Sequence, residues 1–358
     1  MTVLDASPRP AVRWPDRLAP LAAGWLGLWG VLALVATLTG DGYPFGANDP
    51  DGGDNLLRLI PVRLGAPVFA ALLLTGAVAA LAMSRPAVRT SRPLRALLAG
   101  YGWAVAFVLA VVVPDLQVLI ILGYAPMLII GAPFGWPPVD YAEVFTWALF
   151  ARFAAAVGGL LLAGAVLIWL RRTANACVAC GRVDARRGWR TPAAAARWGR
   201  WAAGIAAIIP VGYALTRFAW AVGIPLGISR SFLTEMQQSG LVWAGLGLGA
   251  FATVGAVLTL GLVQRWGERF PGWMLGLAGR PVPVRLAVVP ATVVAVAVTA
   301  AVFGIMTNPA FWESAGGDGF SLATAPVLLW PAWGPALGLA TYAYHLRRRG
   351  ACPRCGQD

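Results

Sequence analysis

The chain has 358 residues, of which 59% are hydrophobic and only 12% charged. A soluble domain carries roughly 25% charged residues, so a water-exposed fold could not cover itself with this composition, whereas a bilayer removes the need. The formal charge of +13 would suggest nucleic acid in a soluble protein, but the charges sit between apolar segments and follow membrane topology instead. No nucleic-acid partner is expected; the lipid bilayer is.

All 28 basic residues are arginine. A high-GC coding bias accounts for this, and the alternative is selection for guanidinium forks that grip phosphate headgroups. The first apolar segment follows Pro8, Pro10, Pro15 and Pro20, exceeds twenty residues and lacks a small-residue cleavage context. It therefore reads as a membrane helix rather than a signal peptide.

About 20 apolar residues span the hydrocarbon core, and eight segments meet that length: 18–40, 65–84, 96–114, 145–170, 201–224, 241–264, 286–306 and 322–345. Arginines fix the orientation. With the N-terminus inside, Arg9, Arg13 and Arg17, then Arg85, Arg89, Arg92 and Arg95, lie in the cytoplasm. So do Arg171, Arg172, Arg182, Arg186, Arg187, Arg190, Arg197 and Arg200 of the middle loop, Arg265, Arg269, Arg280 and Arg285, and Arg347, Arg348, Arg349 and Arg354 of the tail. Asp41, Asp49, Asp51, Asp54, Asp115, Asp140, Glu143, Glu235, Glu313 and Asp318 then face outward. This predicts a plasma-membrane protein with both termini cytoplasmic. Residues 116–132 are apolar, yet a full ninth span there would put the middle loop outside. Broken by Pro114, Pro126 and Pro133, the stretch reads as a re-entrant or interfacial outer segment.

The chain also resembles itself. Leu170-Arg171-Arg172 leads to Cys177-Val178-Ala179-Cys180-Gly181, and Leu346-Arg347-Arg348-Arg349 leads to Cys352-Pro353-Arg354-Cys355-Gly356. Arg92-Pro93-Leu94-Arg95 parallels Arg280-Pro281 and Val284-Arg285. The fold class expected is all-α: a multi-pass bundle of about eight spans in two parallel four-helix repeats, 1–190 and 191–358, each ending in a cysteine segment. The bland alternative is that all inner helix ends are Arg-rich.

Two C-x-x-C-G knuckles can aim four thiolates, Cys177, Cys180, Cys352 and Cys355, at one tetrahedral zinc, and the cytoplasm keeps them reduced. A closed four-thiolate site is structural. A redox doublet, or two separately used pairs, are the other readings.

Arg152 and Arg217 lie within spans, each about 10 Å below the outer surface at 1.5 Å per residue. An intramembrane arginine is costly unless paired or hydrated. Asp115, Asp140, Glu143 and Glu235 are candidate partners, with Arg230 a further cation on that side. The two arginines would line an outward cavity for an anionic or lipid-phosphate ligand; the alternative is snorkelling to headgroups. Gly245 and Gly249 allow close helix approach, and His345 is an interfacial residue or a proton relay. No phosphate loop, nucleophile elbow, metalloprotease helix or catalytic carboxylate pair is present, which speaks against a familiar enzyme class.

Leu215-Thr216-Arg217-Phe218-Ala219-Trp220-Ala221-Val222-Gly223-Ile224-Pro225-Leu226-Gly227-Ile228-Ser229 resembles a segment of uncharacterised polytopic membrane proteins of high-GC Gram-positive bacteria. So do Val263-Gln264-Arg265-Trp266-Gly267-Glu268 and the cysteine tail. The resemblance implies that Arg217 belongs to a family pattern, but it carries no known activity. Three functions are weighed. The first is a transporter or transporter component for an unknown small molecule, with an outward-facing site near Arg152 and Arg217. The second is a non-catalytic membrane scaffold or sensor whose zinc clasp and Arg-rich loop bind a cytoplasmic protein partner. The third is a lipid-acting membrane enzyme.

Overall fold

A computed structural model describes residues 14–40, 55–85, 91–135, 140–181, 188–316, 325–350, 352 and 355. Asp41, Asp49, Asp51, Asp54 and Asp318, with Arg9, Arg13, Arg89, Arg182, Arg186, Arg187 and Arg354, lie outside them. The described residues are helical, without a strand. The long helices are α1 (Trp14–Thr39), α2 (Val62–Ser84), α3 (Arg92–Phe107), α4 (Leu116–Gly131), α6 (Trp147–Thr173), α7 (Pro192–Ala221), α9 (Leu241–Gly261), α10 (Val284–Met306) and α13 (Trp330–Arg348). Short helices are α5 (Tyr141–Val144), α8 (Arg230–Gln238), α11 (Pro309–Gly316) and α12 (Ala325–Leu328).

Eight of the described helices are long and apolar enough to cross a membrane. This agrees with a multi-pass membrane protein, and the set differs from expectation at two places. Leu116–Phe134 is among the eight, whereas α13 is not. The physical reason lies in composition: α4 is almost wholly aliphatic, while α13 carries Pro331 and Pro335 at one end and His345, Arg347 and Arg348 at the other. Large apolar side chains such as Leu28, Val31, Leu38, Ile208 and Trp201 remain exposed along the spans, as lipid-facing surfaces do.

The chain forms two compact units interleaved in sequence. The first comprises Met1–Tyr43, Arg63–Val108 and Val157–Val183. Its helices close a ring through small residues: a side chain on Gly30 would strike Leu74, on Gly76 Val105, on Gly102 Val166, and on Gly158 Leu26 and Trp25. Such glycines let helix backbones approach where no hydrophobic effect drives association in lipid. At one end of this unit, Arg172 pairs with Asp16 at 2.6 Å and Arg95 donates to the carbonyls of Thr173 and Leu170. The starts of α1 and α3 and the finish of α6 therefore share one end.

The second unit comprises Pro44–Val62, Leu109–Ala156 and Asp184–Asp358, so it includes α4 and α5. Here α7 packs on α9 and α13, α13 on α10, and α4 on α10 and α9. An alanine seam of Ala202, Ala203, Ala206, Ala295, Ala336 and Ala340 forms the core around buried Tyr344. Gly199 sits so close to α13 that a Cβ would lie 2.5 Å from Ala343. The finish of α13 meets the finish of α9, where Arg347 reaches the Leu262 carbonyl at 2.5 Å and Glu268 at 3.0 Å. It also meets the approach to α10 and the start of α7, because Arg348 donates to Val282 and Tyr342 packs on Trp198.

Candidate functional site

The first cysteine segment is shaped by the end of α6. Asn175 adopts a left-handed conformation (φ 54°), which Asn tolerates better than most residues. Ala176 donates to the Arg171 carbonyl and Asn175 to that of Arg172, the double bond of a Schellman termination. The chain then turns so that the Gly181 amide donates to the Cys177 carbonyl at 2.6 Å, with Gly181 at φ 70°. The Arg171 guanidinium folds over this turn, donating to the carbonyls of Val178 (3.1 Å) and Ala179 (3.3 Å).

The second segment follows α13, whose last turn is held by the Arg347 and Arg348 contacts. Cys352 is buried and Cys355 exposed; Pro353, Arg354 and Gly356 lie outside the described residues. The ligand sulfurs of Cys177, Cys180, Cys352 and Cys355 all lie within 4.8 Å of one another, close enough to hold a metal ion.

Arg152 and Asp115 are also brought together. Arg152 is 0% and Asp115 2% exposed, and Nε of Arg152 lies 3.0 Å from Oδ2 of Asp115. A short π-helical turn, Val108–Val112, and Pro114 end the preceding helix. Asp115 then caps α4, accepting from the Gln117 amide at 3.0 Å. Arg152 also donates to Oε1 of Gln117. Asn55, itself 3% exposed, donates to the Val113 carbonyl at 2.8 Å and approaches Asp115 at 3.5 Å. The result is a buried, charge-balanced polar node.

Sequence reasoning missed Asn55 and Gln117. Gln117 carried a usable signal: apart from Tyr124 it is the one polar side chain in an otherwise apolar sixteen-residue helix. Asn55 offered none.

Arg217 is held differently. Its guanidinium lies 4.3 Å from the Tyr213 ring and 4.1 Å from the Trp220 ring, distances at which cation–π attraction acts. It donates to the Thr216 hydroxyl at 3.1 Å, and Gly245 and Gly249 of α9 accommodate its stem. Among the described residues it makes no ion pair. The break after α7 is a turn with Gly223 and Gly227 at positive φ, tied by Trp220 donating to the Leu226 carbonyl. Asp140 is exposed and caps α5, Glu143 is exposed in that helix, and Arg230 and Glu235 are exposed on α8. None of these four joins either arginine among the described ion pairs.

Comparison with known protein families, characterised proteins and solved structures finds no match.

Proposed function

We propose that this is a plasma-membrane scaffold or sensor, non-catalytic, whose two parallel four-helix repeats are tied at the cytoplasmic face by one structural zinc. The close approach of the four cysteine sulfurs carries the reading. A tetrahedral ion with Zn–S bonds of about 2.3 Å sets its sulfurs about 3.8 Å apart, so sulfurs within 4.8 Å need only a small contraction. All four positions are filled by protein, which leaves no open coordination site for catalysis. The arginines of the middle loop and tail then present a basic face to a cytoplasmic protein partner.

The topology is supported from within each unit. In the first, α3 departs from the end at which α6 arrives. The segment between them therefore starts and finishes on one face, which favours a re-entrant or interfacial role for 116–132 over a lone crossing. In the second, the starts of α7 and α10 and the finishes of α9 and α13 share an end, as four spans with an inside start require. Pairing α1 with α7, α2 with α9, α3 with α10 and α6 with α13 matches the neighbours in both units except that α4 wedges against α9 and α10.

Metal analysis of the purified chain tests the clasp. One zinc per chain, lost in Cys177→Ser and in Cys352→Ser, is the expected result. A chain purified under reducing conditions without metal would overturn it.

A second reading, a transporter component for a small anion, draws on Arg217. Asp115 neutralises Arg152, whereas Arg217 stands without a carboxylate among the described residues.

A further inference from the structure

The connection between α9 and α10, residues 262–283, is a built structure. Phe270 donates to the Arg280 carbonyl and Gly279 to that of Phe270, Val282 donates to Glu268, and Arg269 bridges to Pro281. Its base is fastened to α13: the Tyr344 hydroxyl donates to the Gly267 carbonyl at 2.7 Å, and Arg347 pairs with Glu268. The tip of this held loop presents its apolar side chains outward, with Trp273 78% and Leu275 94% exposed. Holding a tryptophan and a leucine in water on an ordered loop is unfavourable, because each forfeits its burial free energy.

Charge says what covers them. Arg269 and Arg280 flank the tip in sequence and Arg265 and Arg285 stand at its feet, all four exposed, and no acidic residue occurs from 269 to 285. The one carboxylate at the base, Glu268, is already paired with Arg347. Both feet of the loop are ends of candidate spans, Leu241–Gly261 and Val284–Met306, so a bilayer surface lies within reach of the tip. Tryptophan favours the headgroup level, and arginines near a leaflet gain from anionic lipid.

We infer that the 270–278 tip dips into the adjacent leaflet and binds anionic phospholipid, with Trp273 and Leu275 in the acyl boundary and the arginines on the phosphates. This deepens the membrane reading but does not depend on the zinc clasp.

The test places the photo-crosslinker p-benzoylphenylalanine at Leu275 of the full chain in nanodiscs of phosphatidylcholine with increasing phosphatidylglycerol. Mass spectrometry then identifies the adduct. The expected result is a lipid adduct whose yield rises with the anionic fraction. Arg269→Gln with Arg280→Gln should shift that dependence by about fivefold per arginine removed. Zinc content, measured on the same samples, reports independently on the clasp. Absence of a lipid adduct, crosslinking to a co-purified protein instead, or a yield indifferent to phosphatidylglycerol would overturn the inference.

Discussion

Asp115→Ala puts the buried polar node to its hardest test. Arg152 is wholly inaccessible and its Nε lies 3.0 Å from the Asp115 carboxylate. Removing one member of a buried pair costs about 3–5 kcal/mol because the survivor is left charged and uncompensated. Asp115 also caps α4 through the Gln117 amide, and losing that cap adds about 1 kcal/mol. Asp115→Asn keeps the cap and the shape but not the charge, so it should lose the first amount only. Arg152→Met with Asp115→Asn removes both charges, and replacing a buried pair by neutral groups of similar volume is often close to neutral. The expected order of stability is wild type and double variant together, then Asp115→Asn, then Asp115→Ala. Reversible unfolding in mixed detergent micelles, or steric trapping in bicelles, measures it. If Asp115→Ala falls within about 1 kcal/mol of wild type, or the double variant is as unstable as the two singles combined, the node is not a coupled buried pair.

Two further variants probe the other sites. Gly181→Ala forces a Cβ into a residue at φ 70° and to 2.9 Å from Nε of Arg171. It should cost about 1 kcal/mol or more in backbone strain and weaken zinc retention against a chelator; unchanged retention would mean that Arg171 and the turn do not position Cys177 and Cys180. Arg217→Lys gives up the planar stack on Tyr213 and Trp220 and should lower stability by about 1 kcal/mol in thermal unfolding; an equal midpoint would mean that the stack contributes nothing.

The sequence made the apolar helices legible because twenty-residue runs without charge have few other uses, and the cysteine doublets because their spacing is rare without a ligand. It also placed Arg152 beside Asp115 as one of several candidate pairs. What it obscured has physical causes. α13 is a packed helix whose burial against α7 and α10, through Gly199, Ala343 and the alanine seam, compensates for a composition less apolar than its neighbours. α4 has the opposite character: it is long and apolar enough to cross a membrane, and within the second unit Leu248 packs against its Gly123. Asn55 became part of a site only through a contact 58 residues away in sequence. The tip at Trp273 and Leu275 reads in sequence as an ordinary Gly-rich loop, and only its fastening to Tyr344 and Arg347 reveals that its apolar side chains are held outward.

Orientation and metal clasp are separable, and that separation makes both testable. Four long helices, α7, α9, α10 and α13, lie among the described residues between Cys180 and Cys352. If each crosses the bilayer, an even number returns the chain to the starting face, so the two cysteine segments meet on one side whichever side that is and whether or not 116–132 crosses. In the proposed topology, the arginine distribution is the argument that puts that side in the cytoplasm. A membrane-impermeant thiol reagent applied to intact cells after chelation should therefore leave Cys355 unlabelled, and labelling should appear only after permeabilisation. Labelling from outside, once an impermeant reductant has opened any disulfide, would reverse the orientation while leaving the four sulfurs together. It would also place them where thiols oxidise, so the same cluster would then be expected to carry disulfides in place of zinc.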